Sequence, residues 1–191
     1  MIIGKDKIKI ELQKVGISIT DIYDLVNTNK RYTAGIPVLL DLMKGEFINI
    51  RETEGVVRAL GVKEAIGKAS PILIAEYNKA PKVLSSYRWA IGNTICTTIT
   101  EEDIESILQI VQDKENGMSR QMFVVALGKI KSENAEDVLI KLLDDDEVVP
   151  HALQALGQMK SRKAKKRISS LTNHPRPLIK KEAQKALKRI G

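Results

Sequence analysis

The sequence contains few aromatic residues, one cysteine and two histidines. Aromatic side chains make up 4% of the 191 residues, and Ile, Leu, Val and Ala supply most of the apolar content instead. This composition favours packing of helices on helices over β-sandwiches, whose strands are rich in aromatic residues. The single cysteine, Cys96, cannot form an internal disulfide and is typical of a reducing cytoplasm, so we predict a cytoplasmic protein.

Long apolar runs and secretion signals are also missing. No run approaches the roughly 18 apolar residues of a membrane span. The start, MIIGKDKIKI, has two isoleucines followed by charged residues, so it lacks the apolar core of a signal peptide. We therefore predict no membrane partner.

The residues that enzymes require in characteristic patterns are absent as well. No GxxxxGK[ST], GxGxxG or GxSxG motif occurs, and no Cys/His spacing suits zinc. His151 follows a proline at a predicted helix start, and His174 lies in a predicted turn. The acidic run at residues 144–147, DDDE, has two interpretations, a divalent-metal site or a solvated turn before a helix. We favour the turn, because three consecutive side chains cannot converge on one ion without a special loop. The sequence thus predicts a protein that is not an enzyme and has no cofactor and no bound metal.

Charge is distributed unevenly along the chain. The net charge is +7, but residues 160–191 contain 12 Lys/Arg against one Glu, whereas residues 101–150 are strongly acidic. A basic run at residues 160–167 predicts contact with nucleic-acid phosphates or with an acidic protein. Alternatively it forms a solvated helix face, or it pairs with the acidic residues 101–150; we favour these structural interpretations. Without interleaved aromatics, stacking on single strands is not expected. The candidate basic patch consists of Lys160, Arg162, Lys163, Lys165, Lys166 and Arg167.

A small-large-tiny triplet recurs along the sequence. It occurs as Ala59-Leu60-Gly61, Ala90-Ile91-Gly92, Ala126-Leu127-Gly128 and Ala155-Leu156-Gly157, and a last copy, Ala186-Leu187-Lys188, loses its glycine. The steps are 31, 36, 29 and 31 residues. A period in this range is typical of a solenoid, and its variation indicates loops of different length between similar units.

The spacing of apolar residues within each repeat predicts two helices. Ala135, Val138, Leu139, Leu142 and Leu143 have helical spacing, and a second apolar stripe, Val149 to Met159, follows the acidic run. Asn134 is the predicted N-cap of the first helix. Pro150 is compatible with the first turn of the second helix. In the triplet, alanine allows helices to approach, leucine fills the space between repeats, and glycine permits close backbone contact.

The chain resembles the HEAT-repeat family in its short bacterial, HEAT-like form. The resemblance is carried by IPVLLDLMKGEF…VVRALGVK, YRWAIGNT, SRQMFVVALGKI, EDVLIKLLDDDEVVPHALQALGQMKS and IKKEAQKALKRIG, within residues 31–191. It implies an all-α, right-handed α-α superhelix of about five helical hairpins. Residues 1–30 form a predicted helical cap, and residues 1–191 a single predicted domain. The family often carries an arginine six positions before the triplet. Among the five copies only Arg120 and Lys180 are basic at this position, so no continuous polar ladder between repeats is predicted.

The resemblance implies a non-enzymatic scaffold or adaptor that binds a protein partner. In HEAT arrays the second helices line the concave surface, where residues one and five positions before the triplet alanine point outward. Trp89 beside Arg88 would form a typical hot-spot pair, unless Trp89 packs against the neighbouring repeat. The predicted partner-binding residues are Arg58, Arg88, Trp89, Arg120, Gln121, Gln154, Lys181 and Lys185.

Two other functions remain open from the sequence. The first is nucleic-acid binding through the basic residues 160–191. The second is an enzyme of the alkylpurine DNA glycosylase type, because these enzymes also use HEAT-like helices. The glycosylase pocket is aromatic with a carboxylate, whereas this chain has one Trp and few other aromatic residues. Phycobilin lyases share the repeats too, but no feature of this sequence indicates a pigment.

Overall fold

The computed structural model describes residues 2–130 and 132–191. The chain forms two compact units, Met1–Ile99 and Thr100–Gly191. In both units, α-helices follow one another as antiparallel hairpins, with apolar residues at helical spacing buried between them.

The first unit contains six helices and one short sheet within its described residues. A parallel pair of two-residue strands, β1 and β2, aligns Ile2 with Glu46 and Ile3 with Phe47. Sequence periodicity cannot predict strands this short. The elements are β1 Ile2–Ile3, α1 Lys5–Gln13, α2 Tyr23–Val26, α3 Gly35–Leu42, β2 Glu46–Phe47, α4 Ile50–Ala59, a 3-10 helix Lys63–Ala65, α5 Ser70–Lys79 and α6 Ser85–Thr98.

Two hairpins, α3/α4 and α5/α6, form the body of the first unit. The side chain of Asn49 caps α4 by accepting hydrogen bonds from the backbone N–H groups of Arg51 and Glu52. The hydroxyl of Tyr32 donates to the carbonyl of Ala59 at 2.7 Å, which ties the segment before α3 to the end of α4. In the predicted N-terminal cap, helices α1 and α2 bury residues such as Leu12.

The second unit consists of three hairpins, α7/α8, α9/α10 and α11/α12. With the two hairpins of the first unit, the described residues give the five predicted hairpins. The helices are α7 Ile104–Gln112, α8 Gln121–Leu127, α9 Glu133–Lys141, α10 Val149–Met159, α11 Lys165–Ser170 and α12 Pro177–Ile190, with 3-10 helices at Glu101–Asp103, Lys114–Arg120, Leu142–Asp144 and Leu171–Asn173.

The helix boundaries of the second unit follow local capping chemistry. Thr100 and Asp103 form a reciprocal capping box. Pro150 lies in the first turn of α10, as predicted. The prediction of Asn134 as an N-cap is wrong, because α9 begins at Glu133. Its N-cap is Ser132, whose hydroxyl accepts from the N–H of Ala135 at 3.4 Å.

The glycines of the triplet lie where second helices of the second unit touch. A Cβ atom added at Gly128 would lie 2.5 Å from the Cα of Ala155, and one at Gly157 would lie 2.9 Å from the Cα of Ala186. Only glycine therefore fits at the present helix separation. The alanine of one triplet thus faces the glycine of the triplet before it, which explains the recurring pattern.

Candidate protein-binding site

The second helices of the second unit, α8, α10 and α12, pack next to one another in a repeating register. Because each triplet glycine meets the next triplet alanine, equivalent positions of the three helices align in rows across the unit. Residues five before, one before and three after the triplet alanine are four positions apart, so they share one helix face. We call this surface the second-helix face. Its three rows are Gln121, Pro150 and Lys181; Val125, Gln154 and Lys185; and Lys129, Gln158 and Arg189.

Four predicted partner-binding residues lie on the second-helix face. Gln121 and Gln154 are half-buried, and Lys181 and Lys185 are exposed. Two other positions in these rows were predicted to point away from the core, and the structure contradicts this. Val125 and Pro150 are buried, because neighbouring helices cover them.

The third row was missed by the sequence prediction. Lys129, Gln158 and Arg189 are all exposed, and the latter two lie beside the triplet glycine of the preceding second helix. The signal was available, because these positions continue the spacing of four residues that links the other two rows. The second-helix face therefore includes one row of residues more than the sequence predicted.

Hydrogen bonds organise the polar groups of this face. The side-chain amide of Gln121 donates to the backbone carbonyl of Glu147 at 3.0 Å. The ammonium of Lys185 pairs with the carboxylate of Glu182 at 2.6 Å. Burial lowers the pKa of His151 below its usual range, although the carboxylate of Glu182 acts in the opposite direction. The surface therefore offers amide, ammonium and guanidinium groups that bind polar ligands through hydrogen bonds and charge.

In the first unit, Arg58 and Trp89 lie on second helices. Arg58 pairs with Glu54 at 2.7 Å, one turn earlier on α4, and its side chain is partly exposed. Trp89 is half-buried on α6.

Arg88 does not accompany Trp89 on the surface. It is 4% exposed, and its guanidinium carbon lies 4.0 Å from the ring centroid of Tyr77. Consecutive residues of a helix diverge by about 100°, so Trp89 and Arg88 point in different directions. The predicted hot-spot pair is therefore not formed, and Arg88 belongs to the core.

Arg120 is also a core residue rather than an exposed one. It is 0% exposed, and all three nitrogens of its guanidinium donate hydrogen bonds. The Nε and Nη1 atoms reach the carbonyls of Gly117 at 3.1 Å and Val111 at 3.0 Å. The Nη2 atom reaches Asp145 and Glu147 of the next hairpin, both at 2.8 Å. The prediction that Arg120 is available to a partner is corrected accordingly.

The acidic run at residues 144–147 binds arginines from three segments. Besides the two carboxylates that receive Arg120, Asp144 pairs with Arg167, and Asp146 pairs with Arg176 at 3.3 Å. All four acids of the run thus have an arginine partner, and the run lies in a largely exposed turn before α10, as the favoured interpretation predicts. We call these residues the acidic turn. It supplies a polar connection between neighbouring hairpins, and its pair with Arg167 is one that the sequence predicts between the basic run and residues 101–150.

The basic run at residues 160–167 is divided between paired and exposed side chains. Lys163 pairs with Asp137, and Arg167 pairs with the acidic turn, as one structural interpretation predicts. Lys165 donates to the backbone carbonyl of Gly191 at 2.5 Å. The remaining members of the candidate basic patch, Lys160, Arg162 and Lys166, are exposed.

Across residues 2–130 and 132–191, no cluster of three or more His, Cys, Asp and Glu side chains is arranged to hold a metal ion. Within the same residues, no helix has the length and apolar content needed to cross a membrane.

Comparisons with known proteins identify the repeat and the fold. The model of the PBS lyase HEAT-like repeat matches residues 120–145. An engineered protein solved by a structural genomics consortium has 18% identity and a TM-score of 0.59 over 96% of both chains. A designed armadillo repeat protein has 16% identity and a TM-score of 0.56, covering 96% of this chain and 100% of that one. Another designed armadillo repeat protein, in complex with the peptide (KR)4, has 19% identity and a TM-score of 0.58, covering 97% of this chain and 92% of that one.

We found no matching sequence among curated proteins. The chain carries a HEAT-like repeat, and its fold class is the all-α solenoid of helical hairpins, as the sequence predicts.

Proposed function

We propose that the protein is a non-enzymatic scaffold that binds a protein partner through the exposed side chains of its second helices. The observation that carries the proposal is the aligned second-helix face of the second unit. Three adjacent helices align the same positions in register, and seven of the nine positions hold exposed or half-buried amide, ammonium or guanidinium groups. A rigid surface of this kind orders few side chains on binding, which keeps the entropic cost of association low.

The comparisons support a protein or peptide as the ligand. A designed repeat protein of the same fold has been solved in complex with a peptide, and this chain shares its helical-hairpin architecture. The sequence identity of 19% transfers the fold and not the peptide specificity. The residues that we propose for partner contact are Gln121, Gln154, Lys181 and Lys185 in the second unit, and Arg58 and Trp89 in the first.

The proposal is tested by affinity capture with quantitative mass spectrometry. In a face variant, Gln121, Gln154 and Lys185 are all replaced by alanine. A matched control replaces Glu105, Gln109 and Lys141, exposed residues of the first helices α7 and α9. We expect proteins captured by the wild type to be lost from the face variant and kept by the control. Equal recovery by both variants would exclude the second-helix face as the binding surface.

A further inference from the structure

An open pocket of about 260 Å³ lies beside the turns of the two hairpins in the first unit. Apolar side chains form much of its lining. The α3/α4 turn contributes Met43, Phe47 and Ile50, and the α5/α6 turn contributes Pro81 and Leu84. Ile50 and Leu84 are exposed to solvent, although both side chains are large and apolar. We call this pocket the turn pocket.

Further exposed apolar side chains adjoin the lining residues of the turn pocket in sequence or in strand pairing. Ile2, Ile48 and Val83 are 72%, 68% and 86% exposed. Ile2 lies on β1, which pairs with the β2 strand that lines the pocket, and the other two adjoin Phe47 and Leu84 in sequence. Among residues 2–130 and 132–191, five of the ten exposed large apolar residues thus lie in this pocket or adjoin its lining. A cluster of exposed apolar side chains is typical of an interaction surface, whereas apolar residues scattered singly over a surface are not.

The polar end of the turn pocket is acidic. The hydroxyl of Tyr87 donates to the carboxylate of Glu76 at 2.9 Å. Burial, and after it the carboxylates of Glu76 and Glu54, raises the pKa of Tyr87, so its hydroxyl stays protonated and keeps this hydrogen bond. Glu46 lies at the exposed rim, and Lys79 is the single basic residue of the lining. Two carboxylates and one ammonium therefore line the pocket together with its apolar side chains.

We propose that the turn pocket binds an apolar segment of another protein that carries a lysine or arginine next to its apolar side chains. The apolar side chains of the segment would contact Phe47 and Leu84, and the basic group would pair with Glu76 or Glu46. Burial of the apolar surface supplies the favourable free energy of binding. Because carboxylates outnumber ammonium groups in the pocket lining, a positively charged segment binds more favourably than a negatively charged one. This surface belongs to the first unit alone and does not depend on the second-helix face.

The experiment measures binding of three fluorescein-labelled peptides by anisotropy. The probes are four repeats of Leu-Lys, of Leu-Glu and of Ser-Lys, which separate apolar content from charge. We expect the wild type to bind the Leu-Lys peptide about tenfold more tightly than either other peptide. Leu84→Ser should weaken this binding about tenfold, because the pocket loses an apolar wall. Glu76→Gln should reduce the preference for Leu-Lys over Leu-Glu and retain the hydrogen bond from Tyr87.

A matched control and a measurement of mass complete the test. Leu178→Ser removes a comparably exposed leucine from the second unit, and it should leave peptide binding unchanged. Equal binding of the Leu-Lys and Leu-Glu peptides would overturn the proposal, as would equal losses from Leu84→Ser and Leu178→Ser. Sedimentation analysis addresses the remaining occupant. A wild-type dimer that Leu84→Ser converts to monomer would show that a second copy of the chain covers the pocket, which also overturns the proposal.

Discussion

At the scale of single residues, Arg120 connects two neighbouring hairpins of the second unit. Its buried guanidinium satisfies two backbone carbonyls and the carboxylates of Asp145 and Glu147. Arg120→Ala would leave these acceptors without their donor, so we expect a loss of about 3 kcal/mol in the free energy of unfolding. Urea denaturation followed by circular dichroism measures this loss. Arg162→Ala, at an exposed position, should change stability by less than about 0.5 kcal/mol, and similar effects of both substitutions would contradict the assigned role of Arg120.

Also at the scale of single residues, we expect the buried imidazole of His151 to make the stability of the folded protein depend on pH. Burial lowers its pKa below the ordinary value of 6.5, with Glu182 of α12 opposing the shift. The unfolded chain therefore binds a proton more readily than the folded one, so stability rises with pH through this window and is lost as pH falls below 6.5. We expect His151→Gln to flatten the dependence of the melting temperature on pH between about 5 and 7. His174→Gln is the matched control and should keep the wild-type dependence. An unchanged slope in the His151 variant would refute the assignment.

At the scale of elements, the contact of α8 with α10 depends on Gly128. A Cβ atom at this position would lie 2.5 Å from the Cα of Ala155, a backbone atom that cannot move alone. Alanine is favoured over glycine in helices by about 1 kcal/mol, yet we expect Gly128→Ala to destabilise the protein by about 2 kcal/mol through overpacking. Thermal unfolding checks the sign. Gly157→Ala, with its 2.9 Å contact, should cost less, and the reverse order would show that the helices separate easily.

Elements with a clear apolar period could be predicted from the sequence. The apolar stripes of α9 and α10 follow from local spacing, and the structure has them. Side chains whose position depends on distant segments could not be predicted in the same way. Burial of Arg88 requires the ring of Tyr77 on α5, and burial of Val125 requires neighbouring helices. The sequence therefore predicted two of the three rows on the shared helix face, and it erred at positions whose burial depends on other helices.

At the scale of the whole molecule, the strongly basic C-terminal sequence overstates the free positive charge. Lys163, Arg167 and Arg176 pair with acidic residues of the preceding hairpin. These pairs join hairpins of the second unit and reduce the charge available to an outside ligand. The sum of charges along the sequence therefore gives the net field correctly, but not the groups that a phosphate backbone could contact.

A nucleic-acid titration measures how much the exposed basic side chains contribute to binding of DNA. Three exposed bases, Lys160, Arg162 and Lys166, are replaced by glutamate in one variant, and Lys30, Lys63 and Lys68 of the first unit in a matched control with the same change in charge. If the protein is a protein-binding scaffold, a 20-base-pair duplex should bind non-specifically, with a dissociation constant above about 10 µM at 200 mM salt. Both variants should then weaken binding at 50 mM salt to the same extent, because only the net charge matters. Loss of binding confined to the first variant would instead identify residues 160–166 as a nucleic-acid site and reverse the functional proposal.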